Sequence, residues 1–544
     1  MPSYHAEPFT PSETAVLNRF FTNTDLPVFG LVNLPEVVKG ALFARYSRSP
    51  KSLRRLFLDE FASDPATAAG PEAPTAGALG PGDDPPVGTK RAEDLYKRVF
   101  FDFGDDSVAQ LGGAHLACEQ ASNLLTKVLE RGRLAAYLEQ STRYVRYDIE
   151  LGGRRRYLLP DEIADSALAA PYVSHMERVF DAYSRMLAET TAMLEKRRPA
   201  DGADPKRVRS AAVRAEACDA VRGMLPVSTL SNVGVYATGQ SYEAALARMW
   251  AHPVAEVRAY ARMMLTELRK IIPSFLTRVD LEDRGVAWSR YLEGARSDLE
   301  RQAADLPPPS DPGPSVVLTD WDPDAEAKIA AAALYAVSEA PDTGLRRVVS
   351  EMTPARRAEV FAALVGDRSN RRHKPGRAME RSAYRFDVKC DIGAFRDLQR
   401  HRMMTIEWQR FTTRLGYDVP SAVTDQGLED EWRSVMDGAG ELYESVRASL
   451  GADVAQYVVP FAYNVRFVME MSPRQAMHLI ELRSRTSGHA AYRSVAHQMH
   501  AAIRDEAGHR LIAGSMSHID HSEVDLARLE GERRAQVKRE AAGL

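Results

Sequence analysis

Arg400-His401-Arg402 puts two guanidiniums and an imidazole on consecutive residues, and Ser141-x-Arg143 sets a hydroxyl two residues from another guanidinium. These groups suit phosphate. A phosphate monoester is dianionic and takes paired hydrogen bonds from arginine forks, and a serine hydroxyl can complete the coordination of its oxygens. Arg143, Arg222 and Ser141 can form such a grip. Arg400, His401 and Arg402, projecting on different sides of one helix end, can serve both a pyrophosphate and a ring on which negative charge develops. Taken alone, Arg-His-Arg also reads as a salt-bridged helix face. Other chemistries are poorly supplied. Cys118, Cys218 and Cys390 lie far apart with no Cys-x-x-Cys, which argues against a thiolate zinc site or a disulfide framework; each reads as a small buried apolar residue. His497-x-x-His500 has one-face spacing without a third ligand nearby in sequence, so no metal is expected. No Walker-type glycine loop is present. Arg154-Arg155-Arg156 and the run Arg368, Arg371, Arg372, Lys374, Arg377 read as exposed loops, with phosphate binding the second reading.

The chain that must position these groups has 544 residues, enough for several domains or a duplicated one. Lys plus Arg number 71 against 75 Asp plus Glu, a net charge of −4, so it lacks the basic excess that holds a polyphosphate by counterion release. Nucleic acid is not an expected partner. Hydrophobic residues make up 44%, and no run of about 18 apolar residues could span a bilayer. The N-terminal MPSYHAEPFTPSET shows neither the basic nor the apolar region of a secretory signal, so cytoplasm is the expected compartment.

Two breaks divide the chain. Residues 63–90 contain eleven Gly or Pro among 28 residues and only Leu79 and Val87 as sizeable apolar groups, which predicts a disordered insertion. Residues 306–315 contain five prolines and read as a semi-extended linker. The expected organisation is a first domain over 1–305, the linker, a second domain over 316–520 and a polar C-terminal helix over 521–544. The second domain opens with a short strand, SVVLT. Asp322-Pro323-Asp324 then suits a helix start, with helix to about Val337. Tyr384, Phe386, Val388, Cys390 and Ile392 alternate with polar residues as in a half-buried strand. Phe395, Leu398 and Met403 follow at helical intervals on the helix that carries Arg400-His401-Arg402.

The halves repeat one another. Leu124, Leu125, Val128 and Leu129 form a helical stripe ending in Arg131-Gly132-Arg133, as the later stripe ends in Arg400-His401-Arg402. Arg248 precedes Arg258-x-x-Ala261 by ten, as Arg483 precedes Arg493-x-x-Ala496. The fold class expected is α/β, more narrowly α+β: two homologous domains, each of antiparallel strands covered by helices.

LERGRLAAYLEQSTRYVRYD followed by YLLP resembles the signature of the flavin-dependent thymidylate synthases, which runs Arg-His-Arg, seven residues, Ser, then x-Arg-Tyr. Arg131, Arg133, Glu139, Ser141, Arg143 and Tyr144 fall on the pattern, with Gly132 in the His slot. LQRHRMMTIEWQRFTT keeps Arg400, His401 and Arg402 but carries Trp408, Arg410, Thr412 and Thr413 in the later slots. Downstream, Arg222 and Pro226 match the family's Arg-x-x-x-Pro in the first half, whereas Gln456 and Pro460 stand there in the second. Arg474 and Arg483 match in the second half, with Ser472 in an Asn slot; Ala237 and Gly239 occupy the Asn-x-Arg slots of the first. Leu111 and Arg381 stand where the family has a flavin-anchoring His. The losses are complementary, so one composite site between halves is nearly whole.

The resemblance implies FAD as cofactor, methylenetetrahydrofolate and NADPH as co-substrates, and deoxyuridine monophosphate as the nucleotide methylated to thymidylate. It assigns Glu139, Ser141, Arg143, Arg222 and Arg483 to the nucleotide. Arg400, His401, Arg402 and Arg474 go to the flavin, with Arg483 and Arg400 acting on the pyrimidine by electrostatic activation in place of a cysteine nucleophile. A tetramer of family subunits becomes a homodimer of tandem chains. A flavin enzyme methylating another uridine nucleotide and a catalytically inactive nucleotide-binding protein are the alternatives.

Overall fold

A computed structural model of the chain describes residues 4–34, 36–62, 110, 112–197, 206–306, 313, 315–522, 537 and 540. The insertion expected at 63–90, most of the linker and of the C-terminal helix, and Leu111 lie outside those residues.

Each half of the sequence builds one antiparallel four-stranded sheet. β1 (Val28–Leu31), β2 (Gly113–Ser122), β3 (Ala135–Glu139) and β4 (Leu230–Thr238) associate in the order β1-β2-β4-β3. β5 (Val316–Trp321), β6 (Tyr384–Asp391), β7 (Thr405–Trp408) and β8 (Asn464–Met471) repeat it as β5-β6-β8-β7. The architecture is the mixed α/β duplication that the sequence repeat predicts. In β6 the alternation places Tyr384, Phe386, Val388 and Cys390 inward. Ile392 does not continue the strand, because the Asp391 carboxylate accepts the Ala394 amide at 2.9 Å and starts a helix there. Another start differs: Asp324 precedes the helix Ala325–Tyr335 without a side-chain cap, and the Asp322 carboxylate instead accepts from the Asp324 amide and Lys328 Nζ.

The helices that matter to the site are α1 (Asn123–Leu129), α2 (Ala169–Arg197), α3 (Lys206–Val221), α4 (Gly239–Trp250), α5 (Ala255–Arg269), α6 (Ile392–Gln399), α7 (Glu429–Leu450), α8 (Pro473–Arg483) and α9 (Ala490–Asp505). The chain divides into two compact units that do not follow its linear halves. The first comprises residues 1–185, 225–309 and 437–459, and the second 186–224, 310–436 and 460–544. In the first unit the imported segment is tied in by Val227 N donating to Val459 O at 2.8 Å and by Tyr457 Oη donating to Glu256 Oε2 at 2.7 Å. In the second, Ala462 N donates to Gly223 O at 2.7 Å, and Trp432 packs within 3.0 Å of the Cβ position of Gly223.

The first unit buries a cluster around Leu17, Phe21, Phe29, Tyr46 and Phe57. Below β6 and β8 of the second unit, Phe395 packs on Phe467 with ring centroids 4.9 Å apart. At about 1.5–3 kcal/mol per fully buried large apolar side chain, burial of Phe395 helps hold α6, the helix whose end carries Arg400. No described helix is long and apolar enough to cross a membrane.

Candidate functional site

In the second unit α6 runs from its Asp391 cap to Gln399, so Arg400 is the C-cap residue and His401 and Arg402 lie beyond the helix. The expectation that all three sit on the helix, with Met403 on its apolar stripe, is corrected: Met403 is 77% exposed. The helix stops because the chain must turn into β7, and that turn sends the three side chains apart.

His401 is buried. Arg483 at the end of α8 donates from Nε to His401 Nε2 at 2.9 Å, which requires a lone pair on that nitrogen, and the Gln475 amide lies 3.3 Å from Nδ1. Desolvation, reinforced by Arg483 and His478, holds the imidazole well below its ordinary pKa, so it is neutral. Arg483 also donates from Nη2 to the Asp397 carbonyl oxygen.

One buried carboxylate organises the surrounding guanidiniums. Asp397 Oδ1 lies 3.5 Å from Arg483 Nη1 and 3.8 Å from Arg400 Nη1, while Oδ2 lies 3.5 Å from Arg222 Nη1. Arg222 opens a short 3-10 turn, Arg222–Met224, that follows α3. Its guanidinium lies over the first turn of α6, where a Cβ on Gly393 would stand 3.4 Å from Arg222 Nε and 2.9 Å from Asp391 Oδ1. The glycine therefore lets the arginine approach. Arg222 Nη2 is buried with no hydrogen-bond partner among the described residues, a donor without an acceptor. The corresponding 3-10 turn of the second half, Gln456–Val458, begins with Gln456, as the sequence alignment of the halves expects.

Arg474 lies in the first turn of α8, donating to the Pro375 carbonyl at 2.8 Å and facing Glu380 Oε1 at 3.3 Å. Lys374 faces Arg474 and Arg371, and partial desolvation and that repulsion press its pKa down. His478 is pushed down to about 4 by desolvation, with Lys374, Arg371 and Arg483 acting the same way. The result is an electropositive wall beside neutral His401. Arg371 and Lys374 therefore belong with this wall. Arg368 of the same run is no loop cation: it is buried and forms a bidentate pair with Glu481, both bonds at 2.7 Å. Arg156 is likewise buried, over the Tyr147 ring at 4.8 Å. Both had been expected on exposed loops; a carboxylate distant in sequence and an aromatic ring, respectively, make their burial tolerable.

The first unit holds Glu139, Ser141 and Arg143, which the sequence resemblance assigns to the nucleotide. Glu139 ends β3 and points inward, accepting from Thr126 Oγ1 at 3.0 Å and facing Lys127 Nζ at 3.3 Å. Ser141 and Arg143 lie on the following loop, where Ser141 Oγ accepts the Arg143 amide at 3.3 Å and the Ser141 amide donates to Ser47 O at 3.0 Å. Both side chains are partly exposed. Arg48 lies over the Tyr144 ring at 5.1 Å. The three cysteines are free and buried, and burial pushes the Cys118 thiol up to about 12, far from a ready nucleophile.

Sequence reasoning missed Asp397 and His478, and named Lys374 only within the basic run, where phosphate binding is the second reading. A signal for Asp397 existed: it stands three residues before Arg400 on one helix face, the spacing of an intrahelical ion pair. Nothing local marks its approach to Arg222.

Comparison with known proteins adds the following. The family described as thymidylate synthase complementing protein matches residues 72–274 and again 316–507. A UPF0159 protein of Chlamydia muridarum is 37% identical over 537 residues, covering 97% of this chain and 99% of its own. A UPF0159 protein of Thermoplasma acidophilum is 30% identical over 528 residues, covering 92% and 99%.

Proposed function

The chain belongs to the thymidylate synthase complementing family, and from that premise we propose that it is a flavin-dependent enzyme that methylates deoxyuridylate to thymidylate, with methylenetetrahydrofolate as carbon donor and NADPH as reductant. One observation carries the reading. Arg222, from the first half of the sequence, shares Asp397 with Arg400 and Arg483 from the second, and this proximity supports a site in which Arg222 grips the nucleotide beside residues that hold the cofactor.

The residues fit an anionic cofactor and a phosphate. Arg222 Nη2 is a buried donor without an acceptor, and Lys374 stands beside Arg474 and Arg371, whose repulsion presses its pKa down. In this reading Arg400, His401, Arg402 and Arg474 hold FAD, and Glu139, Ser141, Arg143 and Arg222 hold the nucleotide. Bound FAD supplies the reducing equivalents of the methylation. Arg483 cannot lose its proton, and its bonds to His401 and to the Asp397 carbonyl fix its charge in direction beforehand. A preorganised cation aimed at the pyrimidine stabilises charge developing there without reorganisation. Neutral His401 accepts from Arg483 and so orients it. The assembly is a cytoplasmic homodimer, a pseudo-tetramer of family domains.

A second reading, an inactive nucleotide-binding protein, is favoured by Arg381. In the slot of the family's flavin-anchoring His it is half exposed and lies 3.9 Å from Asp342. Purified protein supplied with FAD, deoxyuridylate, methylenetetrahydrofolate and NADPH separates the two. Thymidylate detected by chromatography, with flavin absorbance retained, supports the enzyme; deoxyuridylate binding without product supports the binder.

A further inference from the structure

The first unit contains a cavity of about 700 Å³ at the turn that follows α1. Tyr137, Val235, Tyr242, Met264 and Trp288 line one part of it, charged residues including Arg278 and Arg284 line another, and Arg248 of α4 reaches it beside Gly132. A volume in this range suits a ligand of drug or nucleoside size.

Arg248 is the counterpart of Arg483, and its circumstances differ. Counted from the helix caps Ser122 and Asp391, Val128 stands where the second half has Asp397, and Gly132 where it has His401. Both groups that tie down Arg483 are therefore absent around Arg248. Among the described residues Arg248 forms no hydrogen bond or ion pair, and of the two wall carboxylates Glu243 is taken by Arg278 at 2.9 Å while Asp283 lies 3.8 Å from Arg284. Desolvation and the neighbouring Arg131 guanidinium both press the Arg248 pKa downward, so the cation is held there at a cost that an anion would offset. A Cβ on Gly132 would stand 2.6 Å from Tyr137 Oη, so the glycine makes room for that tyrosine and offers no side-chain donor.

We propose that this cavity is a binding site for a flat aromatic anion, its ring system against Tyr137 and Trp288 and its negative group on Arg248, separate from the site around Arg483. It does not rest on the flavin reading. The test uses the full chain and 1-anilinonaphthalene-8-sulfonate as probe, titrated by fluorescence and calorimetry. The expected result is saturable binding at one site per chain, weakened at least tenfold by Arg248→Met. Leu134 is 76% exposed and lines the same cavity, so Leu134→Glu leaves the fold intact and should weaken the anionic probe as well. Arg483→Ala should leave probe affinity unchanged, and FAD or deoxyuridylate should not displace the probe. Absence of saturable binding, equal affinity in Arg248→Met and Leu134→Glu, or displacement by FAD mole for mole would each overturn the proposal.

Discussion

Arg222 and Asp397 come from opposite halves of the sequence, yet Arg222 Nη1 stands 3.5 Å from Asp397 Oδ2, with side chains only 4% and 8% exposed. A buried pair of this kind contributes little net stability over apolar replacements, but breaking it strands a charge. The first expected outcome follows from that asymmetry. Asp397→Ala should destabilise the protein by about 3–5 kcal/mol, and Arg222→Met combined with Asp397→Leu should recover much of the loss. Urea denaturation of the single and double variants measures the coupling; strictly additive losses would show that the two residues do not depend on one another.

Substitutions should sort by half rather than by motif letter. Arg402→Ala and Arg143→Ala should each cost about 1.5–3 kcal/mol of flavin or nucleotide binding, the worth of a charged hydrogen bond. Arg131→Ala and Arg410→Ala, at exposed residues, should leave activity nearly intact. Isothermal titration with FAD and deoxyuridylate reads the difference, and equal losses in all four would mean that the first-half motif also works.

FAD should saturate near one equivalent per chain, because Gly132 offers no side-chain donor where the second half has His401. Deoxyuridylate should tighten that binding if the nucleotide stacks on the ring. Absorbance titration counts the sites; two equivalent sites per chain would contradict the division between halves.

Glu256 gives a pH dependence with a definite sign. It accepts from Ser122 N at 2.8 Å, Ser122 Oγ at 2.6 Å and Tyr457 Oη at 2.7 Å, and burial pushes its carboxyl up to about 7. Its folded pKa lies above the unfolded value of about 4.5, so between those values the folded state binds more protons and stability falls as pH rises. The contribution, on the order of 3 kcal/mol, is complete below about pH 4.5 and gone above about pH 7. Denaturation midpoints at pH 5, 6, 7 and 8 should show a steeper decline in the parent than in Glu256→Gln. Parallel declines would assign the slope elsewhere.

Light scattering should give about twice the 60.3 kDa mass of one chain if, as proposed, a tandem chain stands for two family subunits and two chains complete a pseudo-tetramer. A stable monomer that retains flavin would contradict this.

Much of the fold was legible. The alternation of Tyr384, Phe386, Val388 and Cys390 foretold β6, and the repeated arginine spacings foretold two sheets of one topology, because strand and helix periodicities are local and survive in a single sequence. The end of β6 was misread at Ile392, since an apolar residue suits either a strand or a helix start and only the Asp391 cap decides between them. The Arg-x-Arg clusters could be picked out as candidates for phosphate chemistry for the same local reason: the capacity of arginine to grip an anion belongs to the side chain itself.

By itself the sequence determined the duplication, the arginine motifs and their unequal retention in the two halves. Tertiary structure alone decided which of those groups meet. Arg222 lies in the compact unit of Asp397 rather than with the rest of its own half, Arg368 is buried by Glu481, and Arg248 keeps a cavity from which the counterparts of Asp397 and His401 are missing. The physical reason is common to all three. A buried charge persists only where a partner or a ligand meets it, and that partner is set by how distant segments pack, which the spacing of residues along a chain does not encode.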